Sequence, residues 1–287
     1  MVTQVVSTDI SGPGNRVNLG VVDDLWVSRT GLVVSTTDDI AIDGTGSFHA
    51  VHIEGAVSGS YGVLLGNDAS LDFGNSVVVA STGVVSGTFS IAIYSTNARL
   101  DNFGLLNGSV YLNGNGLGVS RINNAGDIIS NGRAVLHYGS ETLSLSNTGT
   151  IRGDIAAFFS SGPTMIDLIR NKGEMIGDIL LGGGDDRYDG RGGLVDGTVF
   201  GEAGNDTFRP GSGIELFDGG LGVDTLDFRS TSGVRVYLDG SGPNTGTAEG
   251  DDYAGIENVQ GSLRGADVLV GDAANNFLRG FGGEDTL

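Results

Sequence analysis

The sequence predicts an all-β protein, a right-handed parallel β-helix continuing into a parallel β-roll. Three observations carry that prediction. Glycine supplies 52 of the 287 residues against four prolines, with no G-X-Y period, which excludes collagen and leaves the glycines as turn formers. Between them run short apolar stretches of Val, Ile and Leu without a helical period, the mark of many short strands. Two registers then repeat along the chain, one near 23 residues and one of nine.

The longer register organises residues 1–178. Its phrase, Gly-x-apolar-x-Gly, appears at Gly55–Gly59, Gly83–Gly87, Gly104–Gly108, Gly149–Gly153 and Gly173–Gly177, with a longer copy at Gly126–Gly132 and a degenerate one at Gly31–Ser35. Successive first glycines are 24, 28, 21, 22, 23 and 24 residues apart. Each turn of such a helix is expected to hold about three short strands, and seven turns stacked at about 4.8 Å rise roughly 30 Å. Asn102, Asn124, Asn147 and Asn171 each stand two residues before a first glycine. Side-chain amides can both donate and accept, so an internal asparagine stack running from turn to turn is expected. Leucine-rich repeats share the period but need L-x-x-L-x-L, which is missing. A two-sheet sandwich would need a series of Asn-Gly or Asp-Gly hairpins, which is also missing.

The nine-residue register organises residues 179–287. Gly201 to Asp227 reads GEAGNDTFR, PGSGIELFD, GGLGVDTLD, and the third nonapeptide matches G-G-x-G-x-D-x-U-x at every fixed position, U being a large apolar residue. A second block, from Ser262 to Leu287, reads SLRGADVLV, GDAANNFLR, GFGGEDTL. The mechanics of this pattern point to calcium. Glycines allow positive φ in the six-residue turn and bring carbonyls close together. The aspartate at position six adds a hard anionic oxygen of the kind Ca²⁺ takes. The last three residues form a very short strand, and its middle residue faces inward: Phe208, Phe217, Leu226, Leu269, Leu278 and Leu287 are the expected core.

These blocks resemble the RTX (haemolysin-type) calcium-binding repeats of bacterial exoproteins. The stretch between them, 228–261, resembles the segment that interrupts the repeats in serralysin-type C-terminal regions, through Leu226–Arg229, Gly233–Val236, Gly250–Tyr253 and Ile256–Val259. The resemblance covers roughly residues 181–287, with repeat blocks at 181–227 and 262–287. It implies a calcium-binding β-roll in which each ion lies between two loops 18 residues apart. Gly201, Gly204 and Asp206 would then share an ion with Gly219, Gly222 and Asp224. Gly265 and Asp267 would share another with Gly280, Gly283 and Asp285. Asp186 offers a further carboxylate, with Tyr188 at the apolar position. Position six is Glu215 and Asn276 in the intervening nonapeptides, where weak or empty sites are expected. The resemblance further implies export through type I secretion machinery, which reads a C-terminal signal. The chain stops at Leu287 without such a tail, so a fragment of a longer exoprotein is expected.

Composition narrows the partners. Thirty-five acidic against 15 basic residues give a net charge of −20, unsuited to nucleic acid or an anionic membrane. No run approaches the ~18 apolar residues of a membrane span. The opening residues MVTQVVSTDISGPGN have neither a basic region nor a long apolar run, so no N-terminal signal peptide is expected. Cysteine is absent, which removes disulfides, thiolate metal sites and cysteine nucleophiles together. Chemistry is not expected. The zinc helix H-E-x-x-H and the Asp-Pro-His-Glu signature of alginate epimerases are both missing. His49, His52 and His137 have no ligand spacing, and Asp167, Arg170 and Lys172 are the sole lyase-like grouping. The expected function is therefore a non-catalytic, secreted calcium-binding protein, a structural or adhesive segment that folds on calcium outside the cell and meets an extracellular polysaccharide or surface. The alternative is the scaffold of a polysaccharide lyase or epimerase. An ice-binding face would need a T-x-T ladder, and threonine is scattered.

Overall fold

The computed structural model describes residues 2–20, 23–158 and 165–287. It is all-β with almost no helix, and each of its two compact units, Met1–Ser161 and Gly162–Leu287, is a parallel β-solenoid, with about 12 turns between them. Among the described residues the strands pair in parallel, and the one antiparallel contact is an isolated bridge between Arg235 and Thr245. No helix among the described residues is long and apolar enough to cross a membrane.

In the N-terminal unit one sheet stacks Val2–Val6, Asp23–Val27, Ala50–Ile53, Ser76–Val79, Arg99–Asn102, Val119–Asn124 and Thr142–Asn147 in that order. The second sheet carries the repeated phrase. Leu32, Ala56, Val84, Leu105, Asp127 and Thr150 are successive partners across it, so the register is the spacing of the first glycines. The glycines are required by close approach: a Cβ at Gly126 would lie 2.1 Å from the Gly104 carbonyl oxygen, and one at Gly149 would lie 2.0 Å from that of Gly126. Behind them the apolar residue of each phrase forms one buried column, Val33, Val57, Val85, Leu106, Ile128 and Ile151. Each such side chain contributes about 1.5–3 kcal/mol of burial.

Three strands per turn hold only for the early turns, where Val17–Leu19, Ile40–Gly44 and Tyr61–Leu65 form a third line. From Val84–Tyr94 onward the second and third strands fuse into long bent strands, Leu105–Gly114 and Asp127–Gly139, with register shifts at the bend. The expected asparagine stack is seen over Asn102, Asn124 and Asn147, while Asn171 is buried and donates to the Leu194 carbonyl. Asn102 Nδ2 donates to Asn124 Oδ1 at 2.7 Å, and Asn124 Nδ2 donates to Asn147 Oδ1 at 2.8 Å. All three are buried.

The C-terminal unit is built from strands of two to four residues. One sheet runs Leu168–Asn171, Arg187–Asp189, Thr207–Arg209, Thr225–Asp227, Asn258–Gln260, Phe277–Arg279. A second includes Thr198–Phe200, Leu216–Asp218 and Asp252–Ala254, and Arg235–Tyr237 pairs separately with Val268–Val270. Strands this short hold little core, so the middle residue of each decides the packing. Phe208, Phe217, Leu226 and Leu269 are buried as expected, together with Tyr188 and Val259. Leu278 is only half-buried and Leu287 is 64% exposed, since among the described residues Phe277–Arg279 is paired on one side only, with Asn258–Gln260.

Candidate metal centre

The position-six carboxylates of the first block form one buried row. Asp186 Oδ1 accepts the backbone N–H of Asp167 at 2.6 Å, Asp206 Oδ1 that of Asp186 at 2.7 Å, and Asp224 Oδ1 that of Asp206 at 2.7 Å. Glu257 continues the row, accepting the N–H of Asp224 at 2.8 Å. One oxygen of each aspartate therefore replaces a strand-ladder bond to the turn before it. The other is unsatisfied. Oδ2 of Asp186, Asp206 and Asp224 is buried without any hydrogen-bond partner.

That orphan oxygen points back into its own loop. A Cβ on Gly201 would lie 2.3 Å from Asp206 Oδ2, and one on Gly219 would lie 2.6 Å from Asp224 Oδ2. At Gly201 and Gly219 the missing Cβ leaves this room, whereas the Asp186 loop carries Leu181 at the same position. Position four must be glycine for another reason: Gly204 and Gly222 both sit at φ 143°, and a Cβ on either would lie 1.8 Å from the carbonyl oxygen of the glycine one turn below. Gly183, Ala203 and Leu221 bridge in sequence, so the three loops stack directly. Burial, with neighbouring carboxylates, pushes Asp186 up to about 8, Asp206 to about 7 and Asp224 to about 6. A buried carboxylate oxygen with no donor is costly unless a cation or proton compensates it.

The second block is built differently. Asp267 Oδ1 accepts the N–H of Val234 at 2.8 Å, and Asp285 Oδ1 accepts that of Asp267 at 3.0 Å, so these two carboxylates stack as their 18-residue spacing requires. Ser262 occupies position one, where the loops of Asp206, Asp224 and Asp285 have glycine and that of Asp186 has Leu181. Its N–H and hydroxyl both reach Asp267 Oδ2, at 2.7 and 3.2 Å. Asp267 thus has both oxygens satisfied. Gly265 and Gly283 stack, a Cβ on Gly283 lying 2.2 Å from the Gly265 oxygen, and a Cβ on Gly280 would meet Asp285 Oδ2 at 2.2 Å.

Glu215 and Asn276 do not share an edge. Asn276 precedes Phe277–Arg279, which lies in the sheet of Asp206 and Asp224, while Glu215 stacks on Asp251, whose Oδ1 accepts its N–H at 2.9 Å. The 33 residues between Asp224 and Glu257, in place of 18, shift the second block onto different lines. Glu215 is pushed to about 7 and Asp251 to about 6, burial being the first cause of each. All four of their oxygens have donors: Tyr188 hydroxyl and Gly211 N–H on Glu215, Glu215 N–H and Tyr253 hydroxyl on Asp251. Asp251 and Glu257 were not expected as members of these rows. Their only signal is that each directly precedes a three-residue strand of the interrupting segment, Asp252–Ala254 and Asn258–Gln260.

Donor chemistry in the first row suits a hard divalent cation: oxygen ligands only, stacked carboxylates and crowded carbonyls. Among the described residues no three His, Cys, Asp or Glu side chains converge on one point. An ion here would therefore take at most two carboxylates, with backbone carbonyls completing its shell. The lyase-like grouping is not assembled. Asp167 is buried beneath the carboxylate row, whereas Arg170 lies on the surface 3.8 Å from Asp189. His49 is buried between the carbonyls of Asp23 and Thr45, and His52 lies beside Glu54. No protein-family profile matches the chain, and no curated protein or solved structure matches it significantly, so the fold is what places it: an all-β parallel solenoid.

Proposed function

We propose that the C-terminal unit is a calcium-binding β-roll of the RTX kind, and that the chain is a non-catalytic, secreted structural or adhesive segment. The observation that carries this reading is the row of three buried, unpartnered Oδ2 atoms on Asp186, Asp206 and Asp224, one per turn. Gly201, Gly204 and Asp206 would hold an ion with Gly219, Gly222 and Asp224, and Asp186 with Asp206 would hold a second. Bound calcium supplies positive charge and oxygen coordination there. The chain's own contribution is to fix each carboxylate through its Oδ1 bond and to keep the loop open with glycine. The pair Asp267 and Asp285 is the weaker candidate, since Ser262 already satisfies Asp267. Glu215 and Asn276 are left out, as their satisfied or uncharged side chains favour.

Extracellular modules bind calcium at about 10⁻⁴–10⁻³ M, so such a unit stays apo inside a cell and fills outside it. Folding of the C-terminal unit would then be coupled to export. The test is a calcium titration of the whole chain, followed by circular dichroism and tyrosine fluorescence, with the ions counted by calorimetry. Two strong ions with a cooperative gain of β signal are expected. An unchanged spectrum between EGTA and 5–10 mM calcium (about tenfold above the weakest such sites) would refute it.

A further inference from the structure

Residues 162–287 carry 22 acidic and nine basic side chains, yet four of the nine line two neighbouring hollows. A cavity of about 820 Å³ is lined by Arg191, Arg229 and Arg264 together with Thr231, Thr247 and Leu263. A neighbouring hollow of about 350 Å³ shares Arg191, Arg229 and Leu263 and adds Arg209 and Phe281. Concavities of roughly 300–1,000 Å³ are the size that takes small ligands.

The arginines are held in place but not used up. Arg191 grips Asp189 through Nε at 2.7 Å and Nη2 at 2.6 Å, and Arg229 grips Asp227 through Nε at 2.9 Å and Nη2 at 2.8 Å. Arg209 Nε also donates to Asp227, at 2.9 Å. The remaining donors of Arg191 and Arg229, and the whole guanidinium of Arg264, have no acceptor among the described residues. Four guanidinium groups thus face two carboxylates, a local excess of positive charge inside a unit whose net charge is −13. Two of the planes are fixed by bidentate pairs, so their free edges are preorganised for a second carboxylate.

The rest of the lining suits a hydroxylated ligand with one flat face. Hydroxyls come from Thr231, Thr247 and neighbouring serines, and Leu263 is 54% exposed. Phe281 stands at φ 69°, at the second position of its nonapeptide, where Gly220 stands in the loop before Asp224. Glu202, at the same position of the Asp206 loop, stands at φ 70°, so the repeat loop itself sets this backbone. The Arg279 guanidinium lies 4.2 Å over the ring of Phe281, which lines the smaller hollow.

We infer that this groove binds a short anionic saccharide, its carboxylates taken by the free edges of Arg191, Arg229 and Arg264 and its sugar face resting on Leu263 and Phe281. The inference stands whether or not the aspartate row binds calcium. Repulsion from the acidic remainder is screened beyond about 8 Å at 0.15 M salt, so the local field governs contact.

The test is fluorescence anisotropy of a labelled galacturonate trimer on the full chain at that ionic strength, with calcium present. Unlabelled galacturonate trimer, neutral maltotriose and sodium sulfate serve as competitors. The trimer is expected to bind and to be displaced by its own unlabelled form, while maltotriose competes at least about tenfold more weakly. Arg264→Glu, at an exposed side chain without a partner, should weaken binding by about tenfold or more with an unchanged dichroism spectrum, and Arg229→Lys should weaken it through loss of the fork. Arg121→Glu in the N-terminal unit should change nothing. Equal competition by maltotriose, or full affinity in Arg264→Glu, would overturn the proposal. Sulfate competing as well as the trimer would reduce the groove to a simple anion site and overturn the saccharide assignment.

Discussion

Asp206 shows how one residue serves two conflicting demands. Its Oδ1 replaces a ladder bond to Asp186, and its Oδ2 is left buried and empty-handed. Asparagine in its place would keep the first role and remove the buried charge. Asp206→Asn is therefore expected to raise the stability of the calcium-free chain and to lower its calcium response by about tenfold, or 1.4 kcal/mol, opposite signs that denaturant titrations with and without calcium would separate. Glu215 tests burial without the metal. Its folded value near 7, and that of Asp251 near 6, lie above their ordinary carboxylate values of 4.5 and 3.8. The stability these groups contribute is complete below about pH 4 and declines as pH rises through 6 to 7. Denaturation midpoints at saturating calcium should thus fall between pH 5 and 8 in the wild-type chain, and the fall should be smaller in Glu215→Gln. A parallel slope in both chains would show that Glu215 is not buried as described.

At the scale of the element, short strands are held by columns that run across turns. The asparagine column is the most exacting, because each amide is both donor and acceptor to its neighbours. Asn124→Ala removes the acceptor of Asn102 and a donor to Asn147 inside the core, and should cost about 2–4 kcal/mol in urea unfolding at any calcium level. Gly204→Ala places a methyl 1.8 Å from the Gly184 oxygen at φ 143°. It should cost more than about 2 kcal/mol and reduce calcium binding with it, since the same loop would carry the ion. An aromatic column adds to the N-terminal unit. Tyr61, Phe89, Tyr111 and Tyr138 follow one another with ring centroids 5.1, 5.7 and 5.3 Å apart, and Tyr94 joins at 5.1 Å from Tyr111. Burial, with neighbouring tyrosines, pushes the Tyr94 hydroxyl up to about 12. Every tyrosine before residue 161 belongs to this column, an arrangement the 23-residue period does not announce.

At the scale of the whole molecule the two units differ in what completes their interiors. In the N-terminal unit the asparagine amides satisfy one another and apolar columns fill the core. In the C-terminal unit three carboxylate oxygens are buried without partners, and 22 acidic residues stand against nine basic ones. Chelation should accordingly lower the thermal stability of residues 162–287 and leave that of the N-terminal unit unchanged. Trp26, 43% exposed in the strand Asp23–Val27, reports the N-terminal unit. The tyrosine signal sums the four tyrosines of that unit with Tyr188, Tyr237 and Tyr253 of the other, so the part of it that changes while Trp26 stays constant reports the C-terminal unit. Tryptophan and tyrosine signals followed during EGTA titration should part. Limited proteolysis should then cut the calcium-free chain after residue 162 first. Loss of both signals together would mean that the units unfold as one.

The amino-acid sequence by itself determined the fold class, the two periods, the register of the phrase glycines and the stacking of the asparagines, because each is a repeat whose copies must superpose turn on turn. It also determined which loops stack in each block, since an 18-residue spacing leaves one turn between Asp206 and Asp224 and between Asp267 and Asp285. Only the tertiary structure decided which carboxylates are left wanting. Ser262 completing Asp267, Tyr188 and Gly211 completing Glu215, and the 33-residue step that brings Glu257 over Asp224 are contacts between turns, made by residues outside the motif. The arginine groove is legible only there for the same reason. Arg191, Arg229 and Arg264 are far apart in sequence and carry no common spacing, and the interrupting segment had to be folded back before they could face one cavity.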